Sequence, residues 1–372
     1  MSLKKISNYH KKIYTIGLGT GIGNYKKNIK YSNHLFKDYI KLCLKYNIRL
    51  IDTSPVYGNG KSEELIGKYT KSNRRNFFIA TKLMPEMCKR KKVKISVLSS
   101  LKRLKTNFID LLQIHWPNEE VPFEETIEAM LELKKKGLIK NIGLCNFSLK
   151  QIKYICTKFK PGTISSVQVE YNLFERSIEN ELSSYCKKNN IAVIAYSPLA
   201  QGKFANGTKQ LKLLSKLSQK YKCTISQVIL AWICSKDNIF AIPNSSSLEN
   251  LIDNFKSNFI ILEAKDLRNI DKVCITRVKN INTQKIIVSN KYNKKVYANL
   301  QEAIENKMNM TPSPIDLSKE IKKGNFLKPI RLKKIKKKGK VFYDLTEGRL
   351  RYWSWVIAHG WKKSIPSLVW ES

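Results

Sequence analysis

The chain has 372 residues, 42% of them hydrophobic, enough for one large core and a smaller second one. Its 69 Lys+Arg against 29 Asp+Glu give a formal net charge of +40, spread along the chain: Thr283–Ser372 holds 20 against 7, the residues before it 49 against 22. An even lysine excess accompanied by many Asn and Ile fits codon composition better than a phosphate-binding face, so a nucleic-acid partner is disfavoured.

Short apolar runs alternate with helix-period segments. Strands are expected at Ile13–Gly19, Arg49–Asp52, Phe77–Leu83, Ile109–His115, Ile139–Cys145, Ser166–Tyr171, Ile191–Tyr196 and Phe240–Pro243. Helices are expected between them at Leu35–Lys45, Glu63–Tyr69, Ile95–Leu104, Phe123–Lys136, Leu149–Phe159 and Glu179–Lys188. Two more, Leu211–Tyr221 and Ile225–Ser235, follow the seventh strand, and Leu248–Phe255 follows the eighth. Eight parallel units without a change of pattern point to a closed (β/α)8 TIM barrel rather than a doubly wound sheet. The run Gly17-Leu18-Gly19-Thr20-Gly21-Ile22-Gly23 is no dinucleotide fingerprint, because its glycines alternate and polar residues follow where a helix should open. Those glycines are read as letting the first strand approach a ligand closely.

After Val273 the alternation stops, and Asn280–Asn299 reads as irregular. A new pattern starts near Pro314: a short helix (Leu317–Lys323), strands at Pro329–Ile335 and Val341–Asp344, a helix at Arg351–His359 and a last strand at Ser367–Trp370. The organisation is therefore a barrel over 1–278, a linker over 279–290 and a small α+β domain over 291–372. The eight cysteines form no C-x-x-C pair, and no run approaches the roughly 20 apolar residues of a membrane helix. A reduced, cytoplasmic protein with no membrane association and no metal is expected.

Ionisable residues recur at the C-terminal ends of neighbouring strands. Ile51-Asp52-Thr53-Ser54-Pro55-Val56-Tyr57-Gly58 follows the second, with Ser62 as expected N-cap and Glu63 and Glu64 in the first turn of the next helix. Lys82 ends the third strand, and His115 in His115-Trp116-Pro117 ends the fourth. Each alone has a plain explanation, Lys82 as a structural partner of Asp52 and His115 as a satisfied rim histidine. In a barrel, however, all four meet at one rim. An unperturbed tyrosine has a pKa of about 10. A lysine cation beside Tyr57 is expected to lower it, Asp52 to hold Lys82, and His115 to orient a carbonyl oxygen toward the phenol. The product is general-acid catalysis at a carbonyl, which needs a hydride source.

These motifs resemble the aldo-keto reductase family over residues 13–275. The resemblance implies a (β/α)8 barrel that binds a nicotinamide cofactor without a Rossmann domain, with Asp52, Tyr57, Lys82 and His115 as catalytic tetrad and Tyr57 as acid. It assigns Gly19 and Thr20 to a first-strand cofactor contact, Asn146 and Gln168 to the carboxamide, and Tyr196 to stacking on the nicotinamide. Ser197, Leu199, Pro243, Ser245, Asn250 and Asn254 complete the cofactor set, and Trp116 is assigned to the substrate pocket. NADP(H) is favoured over NAD(H), although Asn244 and Asn250 stand where the family often places cations for the 2′-phosphate. Cys145 stands where it usually has Ser.

Residues 285–371 resemble the ParB/sulfiredoxin-like fold through strand, basic turn, strand, Gly-x-x-Arg and helix. That resemblance implies a nucleotide-phosphate site at Gly348, Arg349 and Arg351, against the plain alternative of a basic helix cap. Two functions stay open: an NAD(P)H-dependent reductase of an aldehyde or ketone, and a cofactor-binding redox sensor or regulator whose tail binds nucleotide or nucleic acid. The intact tetrad favours the first. Substrate identity and oligomeric state are not encoded legibly.

Overall fold

The computed structural model describes residues 3–6, 11–21, 32–118, 120–179, 181–202, 209–273, 278–289, 297–310, 312–323, 329–337 and 339–370. The chain divides into two compact units, Met1–Cys274 and Ile275–Ser372.

In the first unit eight parallel strands follow one another around a ring: β1 (Leu18–Gly19), β2 (Leu50–Asp52), β3 (Phe78–Leu83), β4 (Ile109–Ile114), β5 (Ile139–Cys145), β6 (Ile164–Glu170), β7 (Ala192–Tyr196) and β8 (Ile239–Ala241). The ring closes where Ile16 pairs with Ala241. There Gly17 N donates to Ala241 O at 2.8 Å and Gly19 N to Pro243 O at 3.0 Å. Every residue of β2, β3 and β4 is buried, so these segments read as continuous apolar runs rather than as alternating ones.

The expected single strand Ile13–Gly19 is divided. Ile13–Tyr14 pairs antiparallel with Leu3–Lys4 in a short hairpin, and only Leu18–Gly19 enters the barrel. Ile6 and Ile13 join Leu50, Phe78, Leu111 and Phe240 in one buried cluster. The hairpin thus supplies apolar side chains to the barrel interior, and a two-residue ladder is too short to show as periodicity. A further helix, Ala264–Val273, closes the unit.

The second unit is a mixed five-stranded sheet formed by β9 (Val278–Asn282), β10 (Ile286–Ile287), β11 (Ile330–Lys337), β12 (Lys340–Glu347) and β13 (Ser364–Trp370), in the order β9-β13-β11-β12-β10. Residues 279–290, expected as a linker within an irregular stretch, instead contain sheet: Val278–Asn282 pairs with Leu368–Ser364, and Ile286–Ile287 with Tyr343–Asp344. Local sequence pattern does not report these strands, because their partners lie more than 55 residues away. Helices Leu300–Ile304, Pro314–Lys322 and Arg349–His359 complete the unit. Its own core includes Ile330, Leu332, Leu345, Tyr352 and Ile365.

Candidate active site

The barrel interior changes character along its axis. Leu50 and Phe78, the first residues of β2 and β3, share one buried apolar cluster with Ala80 and Leu111, while Asp52, Lys82, Gln113 and Gln168 occupy the strands' C-terminal halves, all nearly fully buried. Lys82 Nζ donates to Asp52 Oδ2 at 2.6 Å, to the Thr53 carbonyl at 2.9 Å and to Tyr57 Oη at 3.4 Å. The ammonium also lies 4.9 Å from the centre of the Tyr57 ring. Tyr57 and His115 meet edge-to-face with ring centres 6.3 Å apart. The four residues expected to converge are therefore neighbours.

The loop carrying Tyr57 is pinned by its backbone. Thr53 N donates to Ala80 O, Tyr57 N to Ser54 O and Ser62 N to Tyr57 O. Ser62 is not the N-cap; that position belongs to Gly60, at φ 86°, and the helix runs from Lys61 to Thr70. The Ser62 hydroxyl instead lies 2.8 Å from the hydroxyls of both Thr20 and Thr53, stitching β1 to the loop after β2. Glu63, fully buried, accepts from Thr81 Oγ1 and from Arg103 Nε, each at 2.6 Å. The first-strand glycines make room for the chain itself where the sequence pointed to a ligand. A Cβ at Gly19 would sit 2.6 Å from the Ile242 carbonyl, and one at Gly21 would sit 3.0 Å from the Tyr57 ring. What approaches them is the protein itself; Gly23 lies outside the described residues.

The electrostatics depart from expectation at Tyr57. Burial is the largest influence and pushes the phenol up; Lys82 pulls it down, Asp52 adds to burial, and the net direction is upward. The expected lowering is overturned because burial of the phenol, with Asp52 beside it, outweighs the pull of Lys82. Burial works against the Lys82 ammonium, but Asp52 and then Tyr57 outweigh it and hold its pKa above the ordinary value. His115 is lowered to about 3, first by burial and then by Lys82, and is neutral at neutral pH. Its Nδ1 lies 3.5 Å from Ser54 Oγ and 3.3 Å from Met84 Sδ. Trp116, half-exposed, stacks beside it with centroids 6.4 Å apart.

Around this centre the remaining expected residues divide. Asn146 Nδ2 donates to the His115 carbonyl at 3.1 Å and its Oδ1 accepts from Tyr196 Oη at 2.9 Å. Asn146 at φ 63° and Ser197 at φ 47° hold left-handed backbone just beyond β5 and β7, a strain common where loops line a binding mouth. Gln168 Nε2 donates to Asp52 Oδ1 at 2.7 Å, a contact its expected carboxamide role did not foresee. Thr20 Oγ1 donates to the Asp52 carbonyl at 2.9 Å. Pro243, beside Gly19, and Ser245, whose carbonyl accepts from Tyr39 Oη at 2.6 Å, follow β8. They lead to the helix Leu248–Lys256, capped by Ser247. Asn250 is exposed in its first turn and Asn254 is buried. Leu199 is half-buried after β7.

In the second unit Gly348 caps the helix Arg349–His359, as the Gly-x-x-Arg reading required. The arginine heads, however, turn inward: buried Arg349 donates to the Ser289 carbonyl, and Arg351 donates to the Pro329 carbonyl at 2.7 Å. This is a helix start tied to its own sheet, and the nucleotide-phosphate assignment finds no support in it.

Residues 15–275 match the model of the Aldo/keto reductase family. The chain belongs to that family. It is 29% identical over 234 residues to methylglyoxal reductase YeaE of Escherichia coli, covering 63% of this chain and 82% of the relative. To aldo-keto reductase YhdN of Bacillus subtilis it is 40% identical over 173 residues, 44% of this chain and 51% of that one. Among solved structures, the thermostable aldo-keto reductase Tm1743 in complex with epalrestat aligns at a TM-score of 0.67 and 36% identity, over 73% of this chain and all of that one. An aldo/keto reductase from Klebsiella pneumoniae in complex with NADP and acetate aligns at 0.65 and 27%, over 70% and 92%. The aldo-keto reductase is an NAD(P)H-dependent enzyme that reduces a carbonyl. Of the two functions left open by the sequence, the reductase is supported and the regulator is not favoured. Among the described residues, no helix is long and apolar enough to cross a membrane.

Proposed function

We propose that the barrel reduces a small aldehyde or ketone with NADP(H), Tyr57 giving its phenolic proton to the carbonyl oxygen as charge develops there. One observation carries the reading: Lys82 Nζ stands between Asp52 Oδ2 at 2.6 Å and Tyr57 Oη at 3.4 Å. A phenol raised above its ordinary value stays protonated through the neutral range, so the acid is loaded when substrate arrives. The ammonium, held charged by Asp52, offsets the negative charge left on Tyr57 after transfer. Neutral His115 carries one ring N–H, and in the tautomer that places it on Nε2 that donor orients the carbonyl oxygen.

The donor set fits a dinucleotide. Amides and hydroxyls of Asn146, Gln168 and Ser197 suit the carboxamide end, Tyr196 the ring face, and the N-terminus of Leu248–Lys256 with Ser245 the phosphates. Bound NADPH supplies the hydride. Neutral Asn244 and Asn250 at that end leave the 2′-phosphate to backbone dipole and amide donors. A small 2-oxoaldehyde such as methylglyoxal is the proposed substrate class, on the names of the Escherichia coli relatives and the half-exposed Trp116 beside His115. For the second unit the order of its last elements supports the ParB/sulfiredoxin-like likeness as a fold, with no ligand assigned.

The test is NADPH oxidation by the full chain with methylglyoxal. Tyr57→Phe lowers kcat by roughly 10²–10⁴-fold, the usual worth of a positioned acid, with NADPH affinity unchanged. Turnover that survives the substitution removes Tyr57 from the acid's role.

A further inference from the structure

The Asp52 carboxylate has two oxygens, and only Oδ2 is accounted for by Lys82. Oδ1 accepts from Gln168 Nε2 at 2.7 Å and from Gln113 Nε2 at 3.4 Å, and the two amides meet each other with Gln168 Nε2 3.5 Å from Gln113 Oε1. A carboxylate only accepts, so both glutamines must turn their NH2 groups toward it. Gln113 is fully buried and Gln168 is 3% exposed. Nothing in an apolar strand such as Leu111-Leu112-Gln113-Ile114 calls for a buried amide, and burying one without partners costs free energy.

The barrel makes room for this amide. In register, Lys82 on β3 neighbours Gln113 on β4, which neighbours Gly143 on β5. A Cβ at Gly143 would sit 2.9 Å from Gln113 Cγ and 2.5 Å from Ser166 Oγ. The missing side chain of Gly143 is what lets Gln113 lie against the strand and reach Asp52.

We propose that Gln113, together with Gln168, clamps Oδ1 of Asp52 so that Oδ2 holds the Lys82 ammonium at Tyr57, which makes Gln113 a positioning residue for the reduction. This rests on the acid role given to Tyr57. The clamp fixes a carboxylate that would otherwise rotate about its terminal torsion, a broad and nearly two-fold one. Lys82 must stay charged and pointed for Tyr57 to lose its proton during turnover. The titratable groups around the clamp are Asp52 itself, Tyr57 on the following loop, Lys82, His115 beyond β4 and Cys145 at the end of β5, whose thiol is pushed up by burial.

Two substitutions test it. Gln113→Leu removes the donor, and kcat falls about ten-fold, the size of coupling between contacting residues. Gln113→Met, which keeps the length, does the same if leucine impairs folding. In Gln113→Glu two carboxyls share one proton, and the protonated one donates in place of the amide. Its kcat therefore approaches the parent's at acid pH and declines as that proton is lost. In a Lys82→Met background the Gln113→Leu effect vanishes, because the residue acts through Lys82. Equal losses in both backgrounds, or a Gln113→Glu profile parallel to the parent's, overturn the clamp. An activity-free readout separates this from the functional reading: the ultraviolet phenolate difference between the parent and Tyr57→Phe titrates Tyr57 alone. A shift of that titration in Gln113→Leu supports the clamp even if no carbonyl is reduced, and an unchanged titration overturns it.

Discussion

At His115 the same burial that tunes chemistry sets a stability cost. An unfolded chain titrates histidine near 6.5, whereas the folded imidazole titrates at about 3 because burial and Lys82 oppose its cation. Between those values the unfolded state binds more protons, so stability is full above about pH 6.5 and is lost as pH falls toward the folded value. The slope from one such group is at most about 1.4 kcal/mol per pH unit. His115→Asn removes the titration, and denaturant unfolding from pH 7 to 4 is expected to show a shallower decline in the variant. An identical decline in both proteins would show that other groups govern it. The tetrad residues were readable because each is ionisable and sits at a strand end or, for Tyr57, on the loop just beyond one, where a polar group needs a reason. Gln113 and the second oxygen of Asp52 were not, since a neutral amide inside an apolar run carries no charge signal. The only available cue was its polarity between Leu112 and Ile114. The direction of the Tyr57 shift was also illegible, because it is set by desolvation, which depends on depth rather than on neighbours in sequence.

Among the elements, the helix Lys61–Thr70 has the most to do with the site, for it begins at the end of the Tyr57 loop. Its Glu63 has no exposure and is tied at once to Thr81 beside Lys82 and to Arg103 on the next helix, Arg90–Leu104. Removing Arg103 would leave an uncompensated buried carboxylate, which costs about 3 kcal/mol. Arg103→Leu is therefore expected to lower the urea midpoint sharply, and Glu63→Gln added to it to recover most of the loss, because the amide oxygen still accepts from Thr81. Failure of the double variant to recover would place the cost in lost packing of the arginine stem. This tie was hidden by the expectation that Ser62, Glu63 and Glu64 formed an ordinary cap. The pattern of a cap and the pattern of a buried anchor share the same residues. Burial, which sequence spacing does not report, separates them. By contrast the helices Leu149–Lys158 and Ile225–Ser235 were legible, and each opens with a capping box, Ser148–Gln151 and Thr224–Gln227.

For the whole molecule, eight-fold repetition made the barrel readable, because each strand pairs with its neighbour in sequence. The second unit lacked that advantage: β9 pairs with β13 and β11 with both β12 and β13, so its sheet depends on contacts across much of its length. The placement of β9 decides where the chain can be cut. A protein ending after Cys274 keeps every barrel strand and the helix Ala264–Val273, and is expected to remain monodisperse and to bind NADPH. One ending after Asn282 retains Val278–Asn282 without its partner Ser364–Trp370. An unpaired strand presents a row of free donors and acceptors that templates association between copies. The longer truncation is thus expected to aggregate while the shorter one does not, a reversal of the usual expectation that keeping more residues is safer. Size-exclusion chromatography of the two proteins with an NADPH fluorescence titration measures both outcomes. Aggregation of the shorter protein would mean that residues 1–274 do not fold independently of the rest of the chain.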